Sequence, residues 1–103
     1  TFEKDLPLLA AVLARNVARR FRLESRKGLL AEGRDADFSL VKLDKKPREI
    51  TAGDLWTRHR ISAYVGRSSR VRITHTYVRG SAVLADGRLT NLPQTGHFLT
   101  PHR

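Results

Sequence analysis

The spacing of the apolar residues changes once along this sequence, near Gly28, and this change limits the folds that the chain can adopt. Before it, Leu6, Leu9 and Leu13 recur three and four residues apart, which places them on one face of a helix. From Leu29 onward the apolar residues take the spacing of extended chain. Helices followed by strands predict an α+β chain.

The helical part is predicted to contain two helices. The first is amphipathic and covers residues 6–15, with Asp5 as its N-cap. Asn16 belongs to the residue types that cap helices, so we expect it to begin a second, short helix over residues 17–21. Gly28 then ends the helical part, because glycine interrupts helical patterns.

Three extended stretches follow. Residues 38–43 carry apolar side chains on both faces, which predicts a strand covered on both sides and suggests a sandwich core. Residues 71–77 alternate apolar and polar side chains and predict a half-buried strand. Gly80 is expected in a hairpin turn that leads into residues 81–85, and Gly87 in the turn before the last short strand.

Less regular segments lie between and after these strands. Thr51 and Asp54 resemble a capping box, which predicts a short helix near residues 52–58. Residues 62–69 form a polar loop. Residues 91–103 have little periodicity and are expected to lie over the surface as a tail.

The charge of the chain raises the possibility of a nucleic-acid partner. Twenty Lys and Arg against ten Asp and Glu give a formal net charge of +10, which attracts polyanions without specificity. The basic residues are spread along the chain, however, and form no compact basic arm. A small basic module that binds nucleic acid is therefore the alternative hypothesis, and no specific nucleic-acid partner is expected.

The absence of cysteine removes disulfides and thiolate metal sites, so nothing in the sequence indicates an oxidising compartment. We expect a cytoplasmic protein. The longest apolar run, residues 8–14, is too short to span a bilayer, and the first residues lack the pattern of a signal peptide. The sequence starts without Met, and we expect it to be a piece of a longer protein.

Asp35 and Asp37 are the pair of carboxylates that most resembles a catalytic site. Residues two apart in a strand point to the same face and could share a site. An Asp after Gly33, however, commonly bonds backbone amides where a loop becomes a strand. No His, Lys or nucleophile is fixed nearby in the sequence, so the structural role is favoured.

Histidines, serines and aromatic residues complete the candidates for chemistry. The four histidines are His59, His75, His97 and His102. Their separations fit neither H-x-H nor H-E-x-x-H, so no metal site is expected in this chain. No G-x-S-x-G motif or phosphate-binding loop is present. Trp56 and Tyr64 flank basic residues and could stack on bases, but filling a core or an interface is favoured.

The order of four segments carries a resemblance to a known family. They are LLAAVLARNVARRFRL, RKGLLAEGRDADFSLVKLD, ITAGDLWTRHRISAYVGR and VRITHTYVRGSAVLADGR. In this order they resemble the C-terminal end of cyclic amidohydrolases, the group containing allantoinases, dihydroorotases and hydantoinases. HRISAYVGR and TGHFLTPHR look most like allantoinase. The sequence departs from the family's usual Pro, Gly and Pro at Val17, Arg22 and Ala63.

The resemblance implies a division of the chain into parts of a larger architecture. Residues 1–28 would be the last helices of a metal-dependent (β/α)8 barrel, residues 29–90 a portion of a small β-sandwich domain beside it, and residues 91–103 the C-terminal tail. Asp35 and Asp37 would belong to the structural turn from barrel to sandwich. The turn positions matched by glycine, which tolerate unusual backbone angles, are Gly28, Gly33, Gly80 and Gly87.

The resemblance also implies an activity for the parent protein. Members of this family hydrolyse a cyclic amide such as allantoin, dihydroorotate or a hydantoin, with a hydroxide activated by zinc or another divalent metal. Their catalytic and metal-binding residues precede this segment, so none is assigned here, and the 103 residues alone are predicted to be inactive. The expected partners are the missing barrel, the N-terminal strands of the sandwich and further copies of the parent in a homo-oligomer, with no membrane.

Overall fold

The computed structural model describes residues 2–93 and 96–102. A helical segment comes first, and a four-stranded antiparallel sheet follows it. This order confirms the α+β class. Thr1, at the start of the predicted barrel helices, and Gln94, Thr95 and Arg103, in the predicted tail, lie outside the described residues.

The helical segment is continuous, and the predicted break at Asn16 is wrong. Helix α1 covers Phe2–Ala10, a π-helical turn covers Ala11–Arg15, and helix α2 covers Asn16–Arg20. Asn16 has helical backbone angles (φ −68°, ψ −36°), so it lies inside the helical segment instead of capping a new helix. Asp5 likewise lies within α1 and is no N-cap. The wider turn lets the helical backbone continue where the sequence pattern suggests an interruption.

Helix α2 ends eight residues before Gly28, so the prediction that Gly28 ends the helical part is wrong. The chain leaves the helix through Arg22, whose φ is +56°. The amide of Arg22 donates to the carbonyl of Arg19 at 3.1 Å, and that of Leu23 donates to the carbonyl of Ala18 at 2.7 Å. These two bonds and the left-handed residue form a Schellman motif, which satisfies the last carbonyls of a helix.

The sheet is a meander in which neighbouring strands follow each other in sequence. Its strands are β1 (Phe38–Glu49), β2 (Ser68–Val78), β3 (Ser81–Ala85) and β4 (Arg88–Leu89), and they pair in this order. β1 extends six residues beyond the predicted stretch, and β2 begins three residues before it. The described residues contain this single sheet, so a sandwich made with a second sheet stays a prediction.

Strand β2 contains a β-bulge. Because of it, the residues that were predicted to lie together on one face of the sheet lie on two different faces. Leu40 pairs with His75, but the next residue of β1 pairs with Ile73, so Thr74 is the extra residue. Directly paired residues share a face. His75 therefore lies on one face together with Tyr77, whereas Ile73 lies on the other.

The helix predicted near residues 52–58 is one turn of 3₁₀ helix, Ala52–Asp54. The capping box is present, because the Asp54 carboxylate accepts a bond from the Thr51 amide at 2.8 Å. The same carboxylate accepts two bonds from Arg48 at 3.0 and 2.9 Å, and Leu55 already has extended angles. Asp54 thus joins the turn to β1, and the chain does not continue as a helix.

Few side chains of this chain are buried. Within the described residues, Ala18 is the one buried hydrophobic residue, with 6% of its surface exposed. Large apolar side chains of the helical segment and of the residue after it are exposed instead, such as Leu13 at 73% and Phe21 at 60%. In β1, Leu40 and Val41 are also exposed, so the predicted cover on both faces is absent here. Among the described residues no helix has both the length and the apolar character that crossing a membrane requires.

Candidate functional site: a charged junction beside an apolar groove

The residues singled out from the sequence, Asp35 and Asp37, lie in a charged junction between helix and sheet. We define the junction as Arg26, Lys27, Asp35, Asp37 and Arg79. The ammonium of Lys27 contacts both carboxylates, at 2.8 Å from Asp35 and in a shorter contact with Asp37. Arg26 adds a second ion pair to Asp35 at 3.0 Å. One lysine therefore holds the two aspartates together.

Backbone bonds connect the same junction to the sheet. The amide of Arg79, in the turn between β2 and β3, donates to the Asp37 carboxylate at 2.8 Å. The amide of Gly80, next in that turn, donates to the carbonyl of Ala36 at 2.9 Å. On the other side, the Asp35 amide donates to the carbonyl of Arg26 at 3.0 Å. The aspartates thus fix the loop after α2 to a hairpin turn about 40 residues later in the chain.

The charges of the junction stabilise each other. The hydrogen bond from Lys27 holds the pKa of Asp35 below its ordinary value, and the one from Arg26 adds to this effect. Burial alone would raise the pKa of Asp37, but the bonds from Lys27 and the Arg79 amide lower it. Burial would lower the pKa of Lys27, and the bonds to the two aspartates raise it instead. All three groups are charged near neutral pH, so neither carboxyl is poised to hold or release a proton there.

An apolar groove of about 600 Å³ lies beside the junction. The helical segment and the loop that follows it line the groove, and Lys27, Asp35 and Asp37 are the charged residues of this lining. Its apolar lining consists of Ala10, Leu13, Ala14, Val17, Ala18, Leu23, Leu29 and Leu30. Of the leucines predicted on one helical face, Leu13 lines this groove, and the groove lacks a cover within the described chain.

The glycines predicted at turns have backbone angles that favour glycine, and one also permits a close contact. Gly28, Gly33, Gly80 and Gly87 have φ of +89°, +84°, +82° and +75°. At Gly28 an added Cβ would lie 2.6 Å from the Cβ of Ala18 and 3.1 Å from the carbonyl oxygen of Ala14. No such obstruction surrounds the other three. Gly28 is thus the position where the loop packs against the helix.

The remaining candidates do not assemble into a reactive site. His75 lies 3.0 Å from the Thr74 hydroxyl and 3.7 Å from Asp86, and its ring stacks with Tyr77. Trp56 and Tyr64 are exposed, and Tyr64 lies under the guanidinium of Arg67 at 5.9 Å. Within residues 2–93 and 96–102, no group of three His, Cys, Asp or Glu side chains fits a metal ion.

The sequence revealed none of the basic residues of the junction, and Lys27 is the one whose side chain contacts both aspartates. It stands directly before Gly28 and ten residues before Asp37, and neither spacing corresponds to a known motif. The contribution of the Arg79 amide is equally hidden, because every residue except proline supplies a backbone N–H. A lysine beside a turn glycine, with two aspartates before a predicted strand, is the signal that could have suggested an ion pair.

Comparison with known proteins shows that the chain is similar to one part of several allantoinases. No protein-family model matches it. Allantoinase from Bacillus licheniformis is 38% identical over 99 residues, which cover 94% of this chain and 21% of that protein. Allantoinase from Rubrobacter xylanophilus is 44% identical over 95 residues, which cover 92% of this chain and 20% of that protein. The chain therefore spans about a fifth of the length of these relatives.

Solved structures agree with this relationship. The L-hydantoinase (dihydropyrimidinase) from Arthrobacter aurescens matches with a TM-score of 0.72 and 28% identity, over 80% of this chain and 18% of that one. A D-hydantoinase matches with the same TM-score and 24% identity, over 86% of this chain and 19% of that one, which shows the fold alone. The arrangement of helical segment and sheet is thus shared with segments of much longer proteins.

Proposed function

Since this chain belongs to the allantoinase-like amidohydrolases, of which it spans about a fifth, we propose that it is a structural portion of a hydrolase that opens a cyclic amide ring. The substrate classes that fit this proposal are allantoin-like compounds, dihydroorotate and hydantoins. In this role the chain supplies a scaffold and an interface. The groups that react with the amide would come from other parts of the parent protein.

The observation that carries the proposal is the uncovered apolar surface. A chain of 103 residues that folds alone buries a core, but in the described part Ala18 is the one buried hydrophobic residue. The apolar groove and the helical face leave more apolar surface in contact with solvent than a free-standing domain of this size tolerates. They fit a segment whose core is completed by the rest of a longer polypeptide.

We place the catalytic metal of the parent outside this segment. The described residues offer no cluster of ligands that suits zinc or another divalent metal. In an amide hydrolase such a metal lowers the pKa of its bound water and polarises the scissile carbonyl. The charged junction would serve that chemistry indirectly, by holding the helical segment and the sheet in a fixed arrangement.

The proposal includes partners and a location. The apolar groove would pack against the remaining part of the polypeptide, and β1, at the edge of the sheet, would pair with further strands. We also propose a homo-oligomeric parent in the cytoplasm, a compartment with which the lack of cysteines is compatible.

A chimaera tests the proposal. The segment would replace its counterpart in the allantoinase from Bacillus licheniformis, with which it shares 38% identity. Ring opening of allantoin, dihydroorotate and hydantoin would be measured with added zinc or manganese. We expect the chimaera to be active, and both the chain alone and the allantoinase lacking the segment to be inactive. Turnover by the chain alone would overturn the assignment of a structural role.

The net charge of +10 favours one alternative, a module that binds nucleic acid. Such a module would bind DNA or RNA with an affinity that falls by orders of magnitude between low and moderate salt. Titration of a labelled duplex and a labelled single strand at two salt concentrations would distinguish the two functions. Tight, salt-dependent binding together with an inactive chimaera would favour the module.

A further inference from the structure

Residues 51–66 form a loop at the end of β1 that lies farthest from the charged junction, and we call it the tip loop. Two reciprocal bonds close its base. The amide of Ile50 donates to the carbonyl of Arg67 at 2.8 Å, and the amide of Gly66 donates to the carbonyl of Ile50 at 2.9 Å. A compact surface loop with ends this close is an Ω-loop, and such loops frequently carry function.

Bonds inside the tip loop hold its shape. The capping box joins Thr51 and Asp54 at its start. Near its end, the amide of Tyr64 donates to the Ser62 hydroxyl at 3.1 Å, and the amide of Val65 donates to the Ser62 carbonyl at 3.3 Å. A loop that is ordered before it binds loses less conformational entropy on binding. The tip loop is therefore prepared for contact with another surface.

The tip loop exposes three large side chains in spite of this order. Trp56 is 68% exposed, Ile61 83% and Tyr64 64%. The guanidinium of Arg67, directly after the loop, lies 5.9 Å from the centre of the Tyr64 ring. Tryptophan, tyrosine and arginine are enriched among the residues that dominate the binding energy of protein interfaces. Ile61, the most exposed of the three, has no ring to stack on a base, which favours a protein surface over nucleic acid as the partner.

The charges of the tip loop indicate what the partner surface carries. Arg58 and Arg60 are exposed, and neither forms an ion pair with a described residue. Asp54 is the one acidic residue of the loop, and its carboxylate already accepts two bonds from Arg48 at 3.0 and 2.9 Å. A surface that covers two guanidinium groups must offer them acceptors, and carboxylates bind them most strongly. The complementary surface is therefore acidic.

We propose that the tip loop docks on an acidic surface of the parent polypeptide outside these 103 residues, with Trp56 and Ile61 in apolar pockets and Arg58 and Arg60 on carboxylates. The inference rests on the proposed function, in which the chain is about a fifth of a longer protein. A surface on the same polypeptide is present at a high effective concentration. The tip loop contributes no residue to the apolar groove, so this docking is a second, separate contact with the parent.

Cross-linking with a carbodiimide in the full-length parent tests the docking. Arg60→Lys and, separately, Arg58→Lys place a primary amine in the tip loop. The reagent joins this amine to a carboxylate in direct contact as an amide, and it takes up the released water as a urea. Mass spectrometry of the digest should identify an Asp or Glu outside the 103 residues. Arg88→Lys, at an exposed position of β4, is the control and should not join the same carboxylate.

A mixture of unlabelled and isotope-labelled parent shows which polypeptide supplies the carboxylate. Cross-linked peptides in which both halves carry the same label are expected, because the contact lies within one polypeptide. Peptides of mixed label would place the acidic surface on a second copy and overturn the proposal. The absence of a cross-link from both variants would overturn it as well.

Hydroxyl-radical footprinting supplies a readout that needs no new amine. In the folded parent, oxidation of Trp56 should be several-fold slower than that of free tryptophan. Arg58→Glu should raise it, because a carboxylate would then face a carboxylate, whereas Arg58→Lys should leave it low. An unprotected Trp56, or protection that appears only when a DNA duplex is added, would contradict the docking. Neither method requires turnover, so a failure here leaves the proposed function standing.

Discussion

Gly28 packs so closely against Ala18 that a Cβ added at Gly28 would lie 2.6 Å from the Ala18 Cβ. Real Cβ atoms do not approach each other at this distance, so one of the two backbones would have to move. Ala18 is also the one buried hydrophobic residue of the described chain. This contact is therefore where the loop before the sheet is fixed to the helix.

The first prediction concerns this contact. Gly28→Ala should destabilise the protein more than Gly33→Ala, because both positions have positive φ but Gly33 has open space around it. Backbone strain alone costs about 1 kcal/mol. Overpacking should add about 1–3 kcal/mol at Gly28. Urea unfolding of the intact protein measures the difference.

A double-mutant cycle supplies the control for this prediction. Ala18→Gly removes the methyl group that the new Cβ would meet, at a cost of about 1 kcal/mol in the helix. Combined with Gly28→Ala, it should recover part of the lost stability. Strictly additive losses would show that the close approach does not determine the cost.

The second prediction is that Arg22→Gly stabilises the protein. Arg22 occupies the C′ position of the Schellman motif with φ +56°, where glycine is preferred. Glycine removes the backbone strain of a left-handed arginine but is more flexible in the unfolded chain. The net increase in the free energy of unfolding should be about 0.5–1 kcal/mol. The melting temperature should rise. Arg20→Gly, inside α2, is the control and should lower it.

The sequence was sufficient to predict features that depend on local chemistry. The α+β class follows from the change in apolar spacing, and the capping box at Thr51 and Asp54 follows from residue type. Asn16 shows where local preference fails, because a π-helical turn absorbs the residue into a continuous helix. Capping propensity is worth about 1 kcal/mol, which neighbouring helical backbone can outweigh.

Non-local features were beyond the sequence. Because Thr74 is an extra residue in β2, Ile73 and His75 lie on opposite faces of the sheet. No residue type in this stretch predicts the bulge. The bond between Asp37 and the Arg79 amide joins a loop to a distant hairpin turn. Such contacts depend on how the elements pack, which residue spacing does not encode.

The third prediction is that Asp37 acts on stability and not on turnover. Asp37→Ala removes the acceptor of the Arg79 amide and one partner of Lys27, so it should destabilise the intact protein by about 1 kcal/mol. The folded parent protein should keep the rate at which it carries out the proposed ring opening of a cyclic amide. Asp35→Ala should have a weaker effect of the same kind. Thermal unfolding and activity assays of the same preparations measure both quantities.

Asp37→Asn separates the two contacts of this carboxylate. The amide side chain still offers an oxygen to the Arg79 N–H but no charge to Lys27, so its effect should lie between wild type and Asp37→Ala. A loss of turnover by orders of magnitude at unchanged melting temperature and metal content would instead make the carboxylates catalytic.

The fourth prediction is a pH dependence of stability from the junction. The pKa values of Asp35 and Asp37 are lowered in the folded protein, so their stabilising effect is present above about pH 4 and is lost as pH falls through the folded-state values. The pKa of Lys27 is raised, so its effect is present below about pH 10 and is lost as pH rises through the folded-state value. The free energy of unfolding should thus decline at both acidic and alkaline pH.

Urea midpoints measured across pH test this window. Lys27→Met keeps the length of the side chain without its charge, and it should flatten both the acidic and the alkaline decline. Lys42→Met, on an exposed position of β1, is the matched control and should leave both declines as in wild type. An equal effect of the two substitutions would show that overall charge, and not the junction, sets the pH dependence.

The fifth prediction is that the 103-residue chain self-associates when it is expressed alone. Its helical face and groove expose large apolar side chains, including Leu13 at 73%, and β1 lies at an edge of the sheet where a further strand can pair. Light scattering over a series of concentrations should show mass that increases with concentration. Leu13→Gln should weaken the association because it places a polar group on the groove, whereas Lys4→Gln, outside the groove lining, should not. A monodisperse monomer at high concentration would mean that this surface needs no cover, and the interpretation of the chain as one part of a larger core would then be wrong.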